Sequence, residues 1–200
     1  EIKEFNSSIE VIQTSCHSSN DGAVNYNFSN NTSTVYHSLV NSSGNNMNNL
    51  SNLTPGDYTL SVNDGNFCQM DFEFNIKDIY ASVSNVDSVS CFGLSDGSLE
   101  IIVNNMEFPY ISTTDDESNE LSAQVSSVEA NLFSGLINNL ASNTYTIEIS
   151  DQFDCSFQID GFIPQPDDLS VNIHNIEHVS CHSFNDGSFS ISTNGGTPPY

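Results

Sequence analysis

Apolar and polar residues alternate in several short stretches of the chain, most clearly after three Asp-Gly pairs. The apolar positions fall two residues apart at Val24, Tyr26 and Phe28, at Leu99, Ile101 and Val103, and at Phe189 and Ile191 with Thr193 next in line. A period of two is typical of a strand that buries one face. The pattern therefore predicts three strands of the same kind.

These strands belong to an internal repeat. The frame Ser-Cys-x4-Asp-Gly begins at Ser15, Ser90 and Ser180, and a tyrosine is twice followed by a cysteine ten residues later, at Tyr58 to Cys68 and Tyr145 to Cys155. Self-similarity at such spacing indicates tandem structural units. We predict the end of a preceding repeat or a linker at 1–8, complete repeats at 9–78 and 79–165, and a truncated repeat at 166–200.

Short alternating strands and an absence of helical periodicity predict an all-β fold of tandem Ig-like antiparallel β-sandwich repeats. Tyr58 and Tyr145 resemble the corner tyrosine that bridges strands in such sandwiches. The second repeat is longer between its first cysteine and its tyrosine, around the acidic stretch at 115–120. We expect that insertion to be a surface loop.

Each complete repeat contains two cysteines, which predicts disulfides Cys16–Cys68 and Cys91–Cys155 and leaves Cys181 without a partner. By the chain-entropy model, loops of this length would contribute roughly 4 kcal/mol each. Stabilisation of this kind implies an oxidising compartment. The alternative is that the cysteines are buried free thiols, which behave as small apolar residues.

Charge excludes one class of partner. The chain has 26 acidic and 2 basic residues and a formal net charge of −24, so it repels phosphate backbones and anionic membrane surfaces. No apolar run is long enough to span a bilayer. We therefore expect no nucleic-acid partner and no direct membrane insertion.

No catalytic residues are predicted. Gly93 to Gly97 match the G-x-S-x-G pattern around Ser95, but that motif requires a strand-to-helix turn and a strand is expected here. The carboxylates at 115–120 lie in an expected loop that would not hold two of them at the separation glycoside hydrolysis needs. We expect a protein that is not an enzyme.

Calcium is a candidate ligand. Aspartates occur in the turns before strands and at the ends of strands, and oxygen-rich turns suit this cation. The candidate residues are Asp21, Asp64, Asp96, Asp151 and Asp186. The alternative is that Asp-Gly and Asn-Asp pairs are ordinary turn formers.

A family resemblance rests on the third repeat. Val179-Ser180-Cys181, Asp186-Gly187-Ser188 and Gly195-Gly196-Thr197-Pro198-Pro199-Tyr200, with Phe108-Pro109-Tyr110 in the second repeat, resemble the SprB repeat of gliding-motility adhesins from Bacteroidetes-type bacteria. The resemblance implies a very large adhesin, exported by type IX secretion to the outer cell surface and moved there by a motor. Its implied partners are external surfaces or polysaccharides and the outer-membrane secretion and motility machinery.

A second interpretation comes from another functional class. The repeats could be carbohydrate-binding or spacer modules of a secreted polysaccharide-degrading enzyme. Sugar-binding sandwiches usually present exposed aromatic platforms, and the chain has no tryptophan. This absence argues against the carbohydrate-binding interpretation, and the adhesin is preferred on the resemblance to SprB repeats.

Overall fold

The computed structural model describes residues 6–29, 34–65, 69–114 and 119–199. Within these ranges the chain forms β-strands and no helix, and every strand pairing is antiparallel. The prediction of an all-β fold is confirmed.

The first two sheets form what we call the N-terminal sheet pair. Its strands are β1 (Asn6–Ile12), β2 (Gly22–Ser29), β3 (Tyr36–Asn41), β4 (Asn46–Met47), β5 (Ser51–Leu53), β6 (Gly56–Asn63) and β7 (Gln69–Ile76). One sheet has the order β1-β2-β5 and the other β4-β3-β6-β7. β1 begins three residues before the predicted start of the first repeat.

The next two sheets form the central sheet pair. Its strands are β8 (Tyr80–Asp87), β9 (Gly97–Asn104), β10 (Tyr110–Thr114), β11 (Glu120–Ser122), β12 (Gln124–Glu129), β13 (Leu132–Leu140), β14 (Thr144–Ser150) and β15 (Ser156–Phe162). The sheet orders are β12-β13-β9-β8 and β11-β10-β14-β15.

The remaining strands, β16 (Ser170–Glu177) and β17 (Ser188–Asn194), pair only with each other in the described chain. We call them the C-terminal strand pair. The alternating apolar side chains of this truncated repeat are exposed, because it has too few partner strands to bury them: Phe189 is 64% and Ile191 59% exposed. No second sheet covers them in the described part of the chain.

Each sheet pair encloses its own core, to which both of its sheets contribute. Leu99, Ile101 and Val103 of β9 are fully buried against residues of β14, as the alternation predicted. A separate cluster around Leu39 and Leu60 fills the N-terminal sheet pair. Two cores indicate two units that each bury their own apolar residues.

Tyr58 and Tyr145 close the same turn in the two sheet pairs. The Tyr58 hydroxyl donates to the carbonyl oxygen of Thr54 at 2.9 Å, and the Tyr145 hydroxyl donates to that of Ala141 at 3.2 Å. Both tyrosines are almost completely buried. This hydrogen bond is the one expected of a corner tyrosine.

The longer second repeat differs from its prediction. Where a surface loop was expected, β11 begins at the last residue of the acidic stretch, and the edge strand β12 follows and extends the sheet beside β13. Alternation in this Ser-rich segment is weak because both faces of β12 are exposed. Residues 115–118 of the predicted loop lie outside the described residues.

Candidate functional site at the junction of the sheet pairs

One disulfide joins the two sheet pairs. Cys16 follows β1 and Cys155 precedes β15, and the bond between them spans 139 residues of sequence with a Cα–Cα distance of 5.1 Å. Cys155 is buried, and Cys16 packs against the core of the central sheet pair. The bond therefore fixes one unit to the core of the next.

This bond replaces the predicted disulfides. Cys16 is bonded to Cys155, so neither Cys16–Cys68 nor Cys91–Cys155 forms, and Cys91 and Cys181 are free and exposed. Cys68 lies outside the described residues.

The strand layout explains why pairing within a repeat fails. The loop of Cys91 lies beside the end of β15, where the Val89 amide donates to the carbonyl oxygen of Pro164 at 3.2 Å. Cys155 lies at the start of that seven-residue strand. A strand rises about 3.3 Å per residue, so the two cysteines are roughly 20 Å apart. A disulfide needs Cα atoms within about 7 Å.

The loop that presents Cys16 is built by an aspartate. Oδ1 of Asp21 accepts hydrogen bonds from the Ser15 amide at 3.0 Å and from the Ser19 hydroxyl at 2.6 Å. The carbonyl oxygen of Cys16 accepts one from the Ser19 amide at 3.1 Å. Ser18 adopts the left-handed backbone region, with φ of 57°. We call residues 15–22 the first Ser-Cys loop.

The same loop recurs at residues 90–97 and 180–187, the second and third Ser-Cys loops. Asp96 accepts from the Ser90 amide at 2.9 Å and Asp186 from the Ser180 amide at 3.0 Å. The left-handed position recurs at Gly93 and Ser183, with φ of 77° and 68°. One short sequence therefore encodes one backbone geometry three times.

These hydrogen bonds favour the charged form of each loop aspartate. The hydroxyls of Ser15 and Ser19, together with the Ser15 amide, lower the pKa of Asp21 to about 2. The hydroxyl and amide of Ser90 lower the pKa of Asp96 in the same way. The pKa of Asp186 is lowered by the corresponding groups of Ser180. Donors directed at a carboxylate stabilise it relative to the acid.

His17 extends the junction beyond the disulfide. Its Nδ1 donates to the carbonyl oxygen of Ile79 at 2.6 Å, and its ring lies 4.8 Å from that of Phe157, centroid to centroid. Asp78 Oδ1 is 3.9 Å from the same nitrogen. His17 therefore contacts both the linker to β8 and the strand that follows Cys155.

Asp151 organises the other side of the bond. Its Oδ1 accepts from the amides of Phe153 at 2.8 Å and Cys155 at 3.2 Å. The Asp151 amide in turn donates to the carbonyl oxygen of Cys155 at 3.1 Å. These bonds close the turn between β14 and β15 and direct Cys155 toward the first Ser-Cys loop.

An open cleft of about 390 Å³ lies beside the disulfide. Both sheet pairs contribute to it. Eight of the ten lining residues have polar or charged side chains, including the cation of Lys77. The lining is formed by Gln13, Thr14, Ser15, Lys77, Ile79, Asn105, Glu107, Asn131, Asp151 and Phe153. Phe153 is 63% exposed, so the cleft offers an accessible aromatic ring among amides and carboxylates.

The aspartates that were candidate calcium ligands lie at separate turns. Asp21, Asp96, Asp186 and Asp151 hold loop amides as described above, and Asp64 follows β6. Across the described ranges, no three His, Cys, Asp or Glu side chains converge in a way that could hold a metal ion. Calcium binding stays a prediction, and ordinary turn formation accounts for the amide contacts of Asp21, Asp96, Asp151 and Asp186.

Ser95 of the G-x-S-x-G pattern lies in the second Ser-Cys loop, immediately before β9. A strand follows the motif, where a nucleophile elbow requires a helix. The described residues include no helix that could span a bilayer.

Sequence reasoning found Cys16 and Cys155 but missed their partnership, and it missed His17 and Phe157 as junction residues. The direction of the strands could have indicated the contact between units. It places each Ser-Cys loop at the end of its own repeat that adjoins the next repeat. Cys91 and Cys155 are separated because Cys91 lies near the end of β15 and Cys155 precedes the first residue of that strand.

No protein-family model matches the chain, and no curated protein matches it. Among solved structures, the chain is similar to domains 4 and 5 of the S-layer protein SbsC. The two are 12% identical with a TM-score of 0.27, over 82% of this chain and 98% of that one. The grounds for a function therefore lie in the geometry of the junction.

Proposed function

We propose that this chain is a stalk segment of an extracellular surface adhesin, a series of Ig-like β-sandwich repeats that carry load and set distance and perform no catalysis. The observation that carries the proposal is the Cys16–Cys155 bond between successive sheet pairs. A covalent bond between units prevents them from separating under tension, whereas a linker alone leaves their angle free.

Two further properties support the proposal, the first of them its external location. Disulfides persist in oxidising compartments, and the bond here closes a loop of 139 residues. A net charge of −24 keeps neighbouring filaments apart and soluble. Gliding motility, type IX secretion and the motility machinery as a partner follow from the resemblance to SprB repeats and belong to the same proposal.

Antibody-coated beads on live source cells test this function. Antibodies raised against the 200-residue chain should bind intact cells, and beads that carry them should be held and carried along the surface. Beads that bind and stay still would support a passive stalk and contradict the motility part. Release of the antigen into the medium without cell binding would contradict the adhesin.

The cleft favours a second candidate, a carbohydrate-binding module of a secreted polysaccharide-degrading protein. Polysaccharides are recognised by planar polar groups together with an aromatic face, and the cleft presents Asn105, Asn131 and Glu107 around the exposed Phe153. A neutral glycan would suit it because the surrounding surface is acidic.

Titration calorimetry with a panel of neutral and acidic polysaccharides tests this candidate. Phe153→Ala should abolish binding, while Phe162→Ala, which removes an equally exposed ring outside the cleft, should not. Equal loss in both variants, or no binding by the parent chain, would exclude the cleft as a sugar site.

A further inference from the structure

Cys91 is held in the same geometry as a disulfide-bonded cysteine. In the first Ser-Cys loop, the Ser19 amide donates to the carbonyl oxygen of Cys16 at 3.1 Å, and in the second the Leu94 amide donates to that of Cys91 at 3.2 Å. The aspartate bonds and the left-handed fourth residue of the loop also match. Cys91 nevertheless has an exposed free thiol.

The contacts beneath this loop also recur. In the first junction the Thr14 hydroxyl donates to the carbonyl oxygen of Lys77 at 2.9 Å. In the second junction, the Val89 amide donates to the carbonyl oxygen of Pro164 at 3.2 Å. The Gly93 amide donates to Oε1 of Gln165 at 3.1 Å. The chain after β15 therefore contacts the second Ser-Cys loop as the chain after β7 contacts the first. The C-terminal strand pair follows the one as β8 and β9 follow the other.

The exposed face of that strand pair matches a face that is buried in the central sheet pair. Phe189 and Ile191 occupy the positions of Leu99 and Ile101, which are 0% exposed beneath the sheet of β10, β14 and β15. The face continues along β16 and its flanks through further apolar side chains that are each more than half exposed: Leu169, Val171, Ile173, Ile176 and Val179.

We propose that this face and the Cys91 thiol together form one docking surface. Its occupant is a four-stranded antiparallel sheet of the kind formed by β11, β10, β14 and β15. That sheet would cover β16 and β17, and the cysteine preceding its last strand would form a disulfide with Cys91. Disulfides between successive units would then recur along the chain. The proposal does not depend on adhesion.

Register supports this occupant. The distance from Cys181 to Tyr200 is 19 residues, the same as from Cys91 to Tyr110, the first residue of β10. A sheet joined at Tyr200 would therefore enter in the register of β10. The last strand of the docked sheet would have the length of β15. The cysteine before that strand would therefore lie roughly 20 Å from Cys181 by strand rise, and next to Cys91.

The bond forms by oxidation. Two thiols lose two protons and two electrons as the sulfur–sulfur bond forms, and a disulfide oxidant such as oxidised glutathione accepts them and is reduced to two thiols. Cys91 is exposed, so exchange with a small disulfide is sterically possible.

An extended chain tests the proposal. Residues 111–163 are appended after Tyr200, so that Tyr200 takes the place of Tyr110, and the protein is oxidised in a glutathione buffer. Peptide mapping without reduction should find Cys91 joined to the appended copy of Cys155, and Cys181 free to alkylate. Amides of β16 and β17 should become protected from hydrogen exchange. The same extension with serine for its cysteine should protect the amides and leave Cys91 reactive.

Several outcomes would overturn the proposal. One is a bond from the appended cysteine to Cys181. Another is a free Cys91 in the oxidised extended chain that keeps its appended cysteine and whose β16 and β17 amides are protected. A second extension appends residues 37–77, with Cys68 in the position of Cys155, and covers the case in which the first appended sheet fails to fold. If neither extension protects the amides of β17, the docking surface is wrong. A Cys91-linked dimer of the original 200-residue chain with protected β17 would identify a second copy as the occupant.

Discussion

The aspartate of each Ser-Cys loop holds the loop in shape through hydrogen bonds that its charged form accepts better than its protonated form. Asp21 accepts an amide and a hydroxyl at 3.0 and 2.6 Å, and in return it holds the backbone that presents Cys16. Because Ser18 is strained in the left-handed region, the loop depends on such bonds to keep its shape.

Acid should loosen these loops. The pKa of Asp21 is about 2 in the folded chain, below its ordinary 3.8. Its stabilisation is therefore complete above pH 3.8 and is lost as the pH falls toward 2. Asp21→Asn should lower the free energy of unfolding near neutral pH by about 1 kcal/mol or less, since solvent screens the site.

Urea unfolding from pH 7 to pH 2 measures this effect. The Asp21→Asn chain should lose less stability than the parent between pH 4 and 2, with the difference between them shrinking toward the acid end. Glu129→Gln, which removes a carboxylate at the exposed end of β12, is the charge-matched control. Parallel pH curves for parent and Asp21→Asn would contradict the role given to this carboxylate.

Strand packing explains the glycine that ends each Ser-Cys frame. A Cβ on Gly97 would lie 2.7 Å from Cγ2 of Ile163 and 3.0 Å from the carbonyl oxygen of Leu140. A Cβ on Gly22 would lie 2.8 Å from Cγ2 of Ile76 and 2.9 Å from the carbonyl oxygen of Leu53. The glycine is needed where the two sheets of a pair approach at the start of β2 and β9.

Gly97→Ala should therefore destabilise the central sheet pair by about 1–3 kcal/mol, the usual cost of overpacking. Gly187→Ala is the matched control in the third frame. Its nearest backbone atom is the carbonyl oxygen of Glu177 at 3.1 Å, and its nearest side-chain atom lies at 3.3 Å. Thermal unfolding followed by circular dichroism should show the larger shift for Gly97→Ala. Equal shifts would mean that the close approach of the sheets is not the cause.

At the scale of the whole molecule, the disulfide couples two cores whose only other covalent connection in the described chain is the linker before β8. By the chain-entropy model, closing a loop of 139 residues contributes about 5 kcal/mol. His17 adds contacts to the backbone of Ile79 and the ring of Phe157. The junction should therefore be stiff as well as stable.

Cys155→Ser should lower the melting temperature by on the order of 10 °C, because the loop-closure contribution of the disulfide is lost. Small-angle X-ray scattering should show greater flexibility between the sheet pairs. Cys91→Ser removes an exposed free thiol and should change neither measurement. A Cys155→Ser chain as stiff and as stable as the Cys91→Ser chain would show that noncovalent contacts alone hold the junction.

The sequence by itself determined what depends on near neighbours. Alternation identified the inward faces of β2 and β9, and the Ser-Cys-x4-Asp-Gly frame predicted three equivalent turns, because strand faces and turn geometry are set by residues a few positions apart. Tyr58 and Tyr145 were identified for the same reason, since each bonds a carbonyl four residues before it.

Only the tertiary structure decided which cysteines meet and what covers each face. Cys16 and Cys155 are brought together by the direction of β15 and by the placement of one unit on the next. Phe189 has the same alternation as Leu99 yet is exposed, because burial depends on a second sheet that local pattern does not encode. Long-range contacts of this kind depend on the packing of whole strands, and residue spacing alone does not specify them.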